Sequence, residues 1–206
     1  MVANRLKVDA EPRALSSQQV IEIEKHAEAT PETGDQLLAL TLERLRDIQH
    51  YVRDDPFTIR TLLQKADSEA DFQRWVAHEL ELRACGRYKV VREAHVVDET
   101  EPDILLIAPM GATVAIEMKL IDKKHNSLSK LEQGLSTQLV GQYLRHDSCR
   151  HGIYVLIRQR KDQWRTRSGL QLNFAQLVTR LSQQAARIEM ASTAGIKVKV
   201  LATFQA

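Results

Sequence analysis

The spacing of apolar residues divides the chain near residue 87. Before it, Leu38, Leu42, Leu45, Ile48 and Val52 recur at steps of three and four and line one face of a helix. That helix opens at Gly34-Asp35 and stops at Asp54-Asp55-Pro56. An earlier helix is expected over "SSQQVIEIEKHAEA", begun by capping serines and halted at Thr30-Pro31. "FTIRTLLQKA" reads as a short helical or irregular link. "SEADFQRWVAHELELRA" reads as a helix that Ser68 opens and Gly86 stops. From Arg87 the pattern changes to β-rich runs. "YKVVREAHVV", "DILLIA" and "TVAIEMKL" lie close enough to form a meander. Helical spacing returns through Leu128, Leu131, Leu135, Leu139 and Tyr143. A strand ("GIYVLIR"), a helix ("NFAQLVTRLSQQAARIEMA") and a last strand ("IKVKVLATF") follow. This order implies an α/β domain over residues 67–206, preceded over 1–66 by an arm and a helical extension.

The hairpin "EPDILLIAPMGATVAIEMKL" carries three charges that an apolar core should refuse. Side chains alternate along a strand, so Val114, Ile116, Met118 and Leu120 take one face and Ala115, Glu117 and Lys119 the other. A turn at Pro109-Met110-Gly111 sets Asp103 directly across from Glu117 and leaves Lys119 just past the end of the partner strand. Like charges at opposed positions, about 4.5–5.5 Å apart at Cβ, destabilise a sheet. Lys119 supplies one compensating charge, and a bound metal would supply two. Mg²⁺ suits such a pair because it takes oxygen ligands and binds through one or two carboxylates while keeping waters. The plainer alternative is a solvated face on which the three charges neutralise one another.

Pro102-Asp103, with Glu117-Met118-Lys119 on the following strand, resembles the signature of the PD-(D/E)XK nuclease superfamily. The restriction-endonuclease-like core of that family has the same α-β-β-β-α-β order. The likeness spans about residues 68–158, with its extension through the rest of the C-terminal part left open. It implies a Mg²⁺- or Mn²⁺-dependent nuclease that hydrolyses phosphodiester bonds of DNA, with RNA left open. By the resemblance Asp103, Glu117 and the backbone carbonyl of Met118 would ligate the metal, and Lys119 would act on the attacking water or the scissile phosphate. A glutamate from the preceding helix often assists in that family. Glu69, Glu79 and Glu81 compete for the place, and Glu79 is favoured because it shares a face with Phe72 and Trp75. Some branches carry Gln-x-x-x-Tyr on the helix after the motif. Here Gln142 stands four places after Gln138 and the tyrosine comes one later, at Tyr143, so either glutamine can fill the role. The rival reading is a nuclease-like module without catalysis that binds DNA or another protein. Related domains often serve sensor or motor partners in defence or repair systems. Here the N-terminal helices are the candidate surface for self-association or for such a partner.

Charge changes the picture only locally. The net charge of +2 is too small to hold nucleic acid through the overall field, so patches must do it. One follows the motif, with Lys123 and Lys124. The other, "RQRKDQWRTR", holds Arg160, Lys161 and Arg165 around Trp164, where phosphates would meet guanidiniums and a base would stack. A solvated loop with Trp164 folded onto the core is the bland counterpart. His146, Cys149 and His151 lack zinc spacing and a fourth ligand. Cys85 and Cys149 form no close pair, and no run of about 18 apolar residues occurs, so a soluble cytoplasmic protein is expected.

Overall fold

In a computed structural model of the chain, residues 16–17, 29–54, 59–66, 68–92, 101–122, 126–160, 163–166 and 168–205 are described. Helices α1 (Gly34–Asp54), α2 (Ile59–Lys65) and α3 (Glu69–Leu82) precede a meander of β1 (Lys89–Arg92), β2 (Ile104–Ile107) and β3 (Thr113–Leu120). Helix α4 (Leu128–Gln133) runs directly into a π-helical segment, Gly134–Tyr143. Then come β4 (His151–Arg158), the short strands β5 (Trp164–Arg165) and β6 (Gln171–Leu172), α5 (Phe174–Ala191) and β7 (Lys197–Gln205). The helix expected over residues 16–29 and the second half of "YKVVREAHVV" lie almost wholly outside the described residues.

The fold is α/β, built on a mixed sheet in the order β1-β2-β3-β4-β7. The meander is antiparallel, while β3, β4 and β7 are parallel. Parallel neighbours need crossovers, which α4 with its π-helical continuation and α5 provide. Strands β3 and β4 are buried on both faces, as their near-continuous apolar sequences require. One face carries Val114, Ile116, Met118 and Leu120 and packs on Leu37, Leu45 and Ile48 of α1 and Phe72, Val76 and Leu80 of α3. The other carries Ala115, Tyr154 and Leu156 and packs on Leu131, Leu135 and Leu139 and on Leu177 and Leu181 of α5.

Local chemistry sets the helix ends. Ser68 accepts the Asp71 amide at the start of α3, and Asn173 with Gln176 forms a reciprocal capping box on α5. Helix α1, assigned from sequence to an extension, shares one apolar layer with the sheet; Leu37, Leu45 and Ile48 are fully buried. Its apolar stripe is therefore spent inside the molecule rather than left for a partner. Among the described residues no helix is long and apolar enough to cross a membrane.

Candidate active site

The site begins where β2 starts too late to cover β3. Paired residues run from Ile107 opposite Thr113 to Ile104 opposite Ile116, which is the register expected from the turn. One step further places Asp103 across from Glu117, and two steps place Pro102 across from Met118. In that alternation Met118 and Leu120 turn both backbone groups toward the β2 side. Pro102 has no N–H to give the Met118 carbonyl. Carboxylates serve the open edge instead. The Met118 amide donates to Asp103 Oδ2 at 2.7 Å, and the Leu120 amide donates to Glu69 Oε2 at 2.8 Å. Asn126 Nδ2 donates to the Leu120 carbonyl at 2.8 Å.

Glu117 sits on the opposite face from Met118 and is 2% exposed. Its Oε1 meets Lys119 Nζ at 2.6 Å, and Lys119 also reaches Glu69 Oε1 at 3.5 Å. Its Oε2 is buried and has no hydrogen-bond partner among the described residues. Burial first, then the charge of Asp103, pushes Glu117 up to about 7. Burial likewise raises Asp103 to about 6, against the Met118 amide and Lys119, which pull it down. Burial works to lower Lys119, but Glu117 and Glu69 outweigh it and hold the ammonium above its ordinary value. The phenols of Tyr143 and Tyr154 are pushed upward by burial and then by the negative charge of Glu117. The Tyr143 hydroxyl also leans on the Glu117 carboxylate as a hydrogen-bond donor, short of the full geometry that would satisfy Oε2.

Glu69, Lys119, Asn126, Lys130, Gln138 and Gln142 are among the residues lining a cleft of about 430 Å³. The π-helical segment forms one wall. Its i to i+5 bonding, seen where the Leu144 amide donates to Leu139 O at 3.1 Å, widens the turn. In so wide a turn Gln138 and Gln142, four apart, stay on the cleft side, while Tyr143 is buried in the core. A Cβ on Gly134 would lie 2.6 Å from the Tyr154 hydroxyl, so only glycine lets the helix approach this closely.

Glu79, favoured from its helix face, does not join this group. It is buried and paired with Arg83 on its own helix. Ten residues of α3 separate it from Glu69, about 15 Å along the axis, and only the helix N-terminus meets the end of β3. Trp164 is also corrected: it is 2% exposed and packs on Phe174 with ring centroids 6.1 Å apart, so it offers no face to a base. The alternation of the short β5–β6 pair turns Trp164 inward and Arg165 outward. Arg160 is exposed, while Lys123, Lys124 and Lys161 lie outside the described residues. Tyr154, which the sequence reading did not single out, stands beside Glu117 in the parallel β3–β4 register. Only pairing across the crossover could have revealed it.

A hard divalent cation with retained waters fits these groups. The unpartnered Glu117 oxygen, the adjacent Asp103 carboxylate and the proline-freed Met118 carbonyl are all oxygen donors. Among the described residues no three His, Cys, Asp or Glu side chains are grouped to hold a metal. In comparisons with known proteins, no family model, no curated protein and no solved structure matches the chain.

Proposed function

We propose that the protein is a metal-dependent nuclease of restriction-endonuclease-like fold that hydrolyses phosphodiester bonds in DNA. One observation carries this reading. Glu117 is a buried carboxylate with one oxygen lacking a hydrogen bond of full geometry, beside a second carboxylate, on a rigid strand. A buried carboxylate costs stability even when a lysine pairs one oxygen, as Lys119 does here, so an ordinary core would replace it with an apolar residue. Asp103, Glu117 and the Met118 carbonyl would hold Mg²⁺ or Mn²⁺. When bound, such a cation supplies Lewis acidity, drawing charge from a phosphoryl oxygen and acidifying attacking water.

The remaining work falls to the chain itself. Glu117 and Glu69 fix the Lys119 ammonium at the wall of the cleft, where it offsets the charge that builds on the phosphoryl oxygens. The side-chain amides of Gln138 and Gln142 have no hydrogen-bond partner among the described residues and can donate to a phosphate or sugar oxygen. Asp103 ties the strand start to the Met118 amide and so keeps the two carboxylates in register.

The test is incubation with plasmid, linear duplex, single-stranded DNA and RNA, each with Mg²⁺, Mn²⁺ or EDTA. Cleavage should require metal and should fall by about 10²-fold or more in Lys119→Ala and Glu117→Gln. Binding of nucleic acid without cleavage under any condition would instead leave a non-catalytic module.

A further inference from the structure

No aspartate or glutamate occurs from Gln163 to Ile188, although 27 of the 206 residues are acidic. The same stretch holds four arginines. The fold gathers three of them, Arg165, Arg180 and Arg187, along two clefts on the side of α4 away from the candidate active site. The larger, about 500 Å³, lies between α4 and the β5–β6 turn; the smaller, about 340 Å³, continues along α5, and the two share Glu132 and Arg180. On α5, Arg180, Gln183, Gln184 and Arg187 fall at i, i+3, i+4 and i+7 and form one polar stripe.

These arginines are available to a ligand. Arg165 and Arg187 are exposed and have no ion pair or hydrogen bond among the described residues. Arg180 is oriented by Glu132 through Nε at 2.6 Å, which leaves its terminal nitrogens outward. Hydroxyl pairs stand on both walls of the larger cleft, Ser127 with Ser129 at 3.1 Å and Thr166 with Ser168 at 2.9 Å. Guanidiniums beside serine and threonine hydroxyls are the usual donors to nucleic-acid phosphates. Glu132, already held by Arg180, is the one acid among the residues lining the two clefts, so Arg165 and Arg187 face the clefts without an acidic partner among the described residues.

We infer that this face is a second phosphate-binding surface, which holds the backbone of the nucleic acid beyond the point of cleavage. The inference rests on the nuclease reading for its ligand. Helix α4 is the ridge between the two regions, with Lys130 and Gln133 on the active-site side and Ser129 and Glu132 on the other. A helix is about 10–12 Å across, roughly three base-pair rises of duplex, so one bound strand can touch both sides.

The experiment measures binding of the full chain to a labelled duplex and a labelled single strand in EDTA, across a salt series. Arg165→Ala and Arg187→Ala should each weaken binding several-fold, and each should lower the salt slope by up to about 0.9 on duplex. Arg46→Ala, an exposed arginine on α1 across the sheet, should do neither. Unchanged affinity and slope in the double variant, an equal loss in Arg46→Ala, or no binding by the parent overturns the surface. Cleavage assays with metal separate the two ideas. A parent that cleaves but whose binding ignores these arginines keeps the nuclease reading and loses this one. Arginine-dependent binding by a parent that never cleaves does the reverse.

Discussion

Asp103, Glu117 and Lys119 sit within one strand edge yet differ in what their removal should do. Glu117→Gln removes a buried charge whose second oxygen is unpartnered, so the metal-free protein should melt at the same temperature or higher. Asp103→Ala strips the acceptor from the Met118 amide and should cost about 1–3 kcal/mol. Lys119→Ala leaves the carboxylates without their cation. It should destabilise by less than the 3–5 kcal/mol typical of a broken buried pair, because Glu117 can take up a proton. Melts in EDTA rank the three, and calorimetric titration with Mn²⁺ should show weaker binding in both carboxylate variants. The same residues set a pH dependence. Their folded pKa values, about 6 and about 7, lie above the ordinary 3.8 and 4.5, so the folded state holds protons that the unfolded state releases. Their contribution to stability is full below about pH 4 and is lost as pH rises through 7. Glu117→Gln should flatten that fall, and a metal-free parent that gains stability over the same window would contradict the assignment.

At the scale of the element, the π-helical segment decides which side chains reach the cleft. Its wide turn keeps Gln138 and Gln142 on the cleft and sends Tyr143 into the core. Deleting Gly141 should let the segment relax toward α-helical bonding while Gln138 and Gln142, then three apart, still lie on one face. Helical circular dichroism should rise slightly and cleavage should survive. Loss of folding in the deletion would show that the wide turn is set by packing on the sheet. Gly134→Ala makes the complementary test. The added methyl meets the Tyr154 hydroxyl, breaks its 3.1 Å bond to the Leu131 carbonyl and should cost about 1–3 kcal/mol in a melt.

At the scale of the whole molecule, α1 closes one face of the sheet. Leu37, Leu38, Leu45, Ile48 and Val52 are buried there, each worth about 1.5–3 kcal/mol on burial. Their sum rivals the 5–15 kcal/mol that holds a domain together. A fragment covering 67–206 should therefore melt without cooperativity and bind a dye for exposed apolar surface. A sharp transition in that fragment would return α1 to the status of an appendage.

Periodicity and the turn together determined most elements and the hairpin register, which carried one step further sets Asp103 across from Glu117, because strand pairing across a short turn is a local property. It could not choose among Glu69, Glu79 and Glu81. All three lie on one helix, and which end meets β3 depends on how α3 docks. Nor could it see that Trp164 turns inward, since a two-residue strand has too little alternation to read. The register of β3 against β4, which brings Tyr154 beside Glu117, passes through a long crossover and is set by packing on both faces. Tertiary structure decided these matters because each depends on contacts between residues far apart in the chain, where local spacing carries no information.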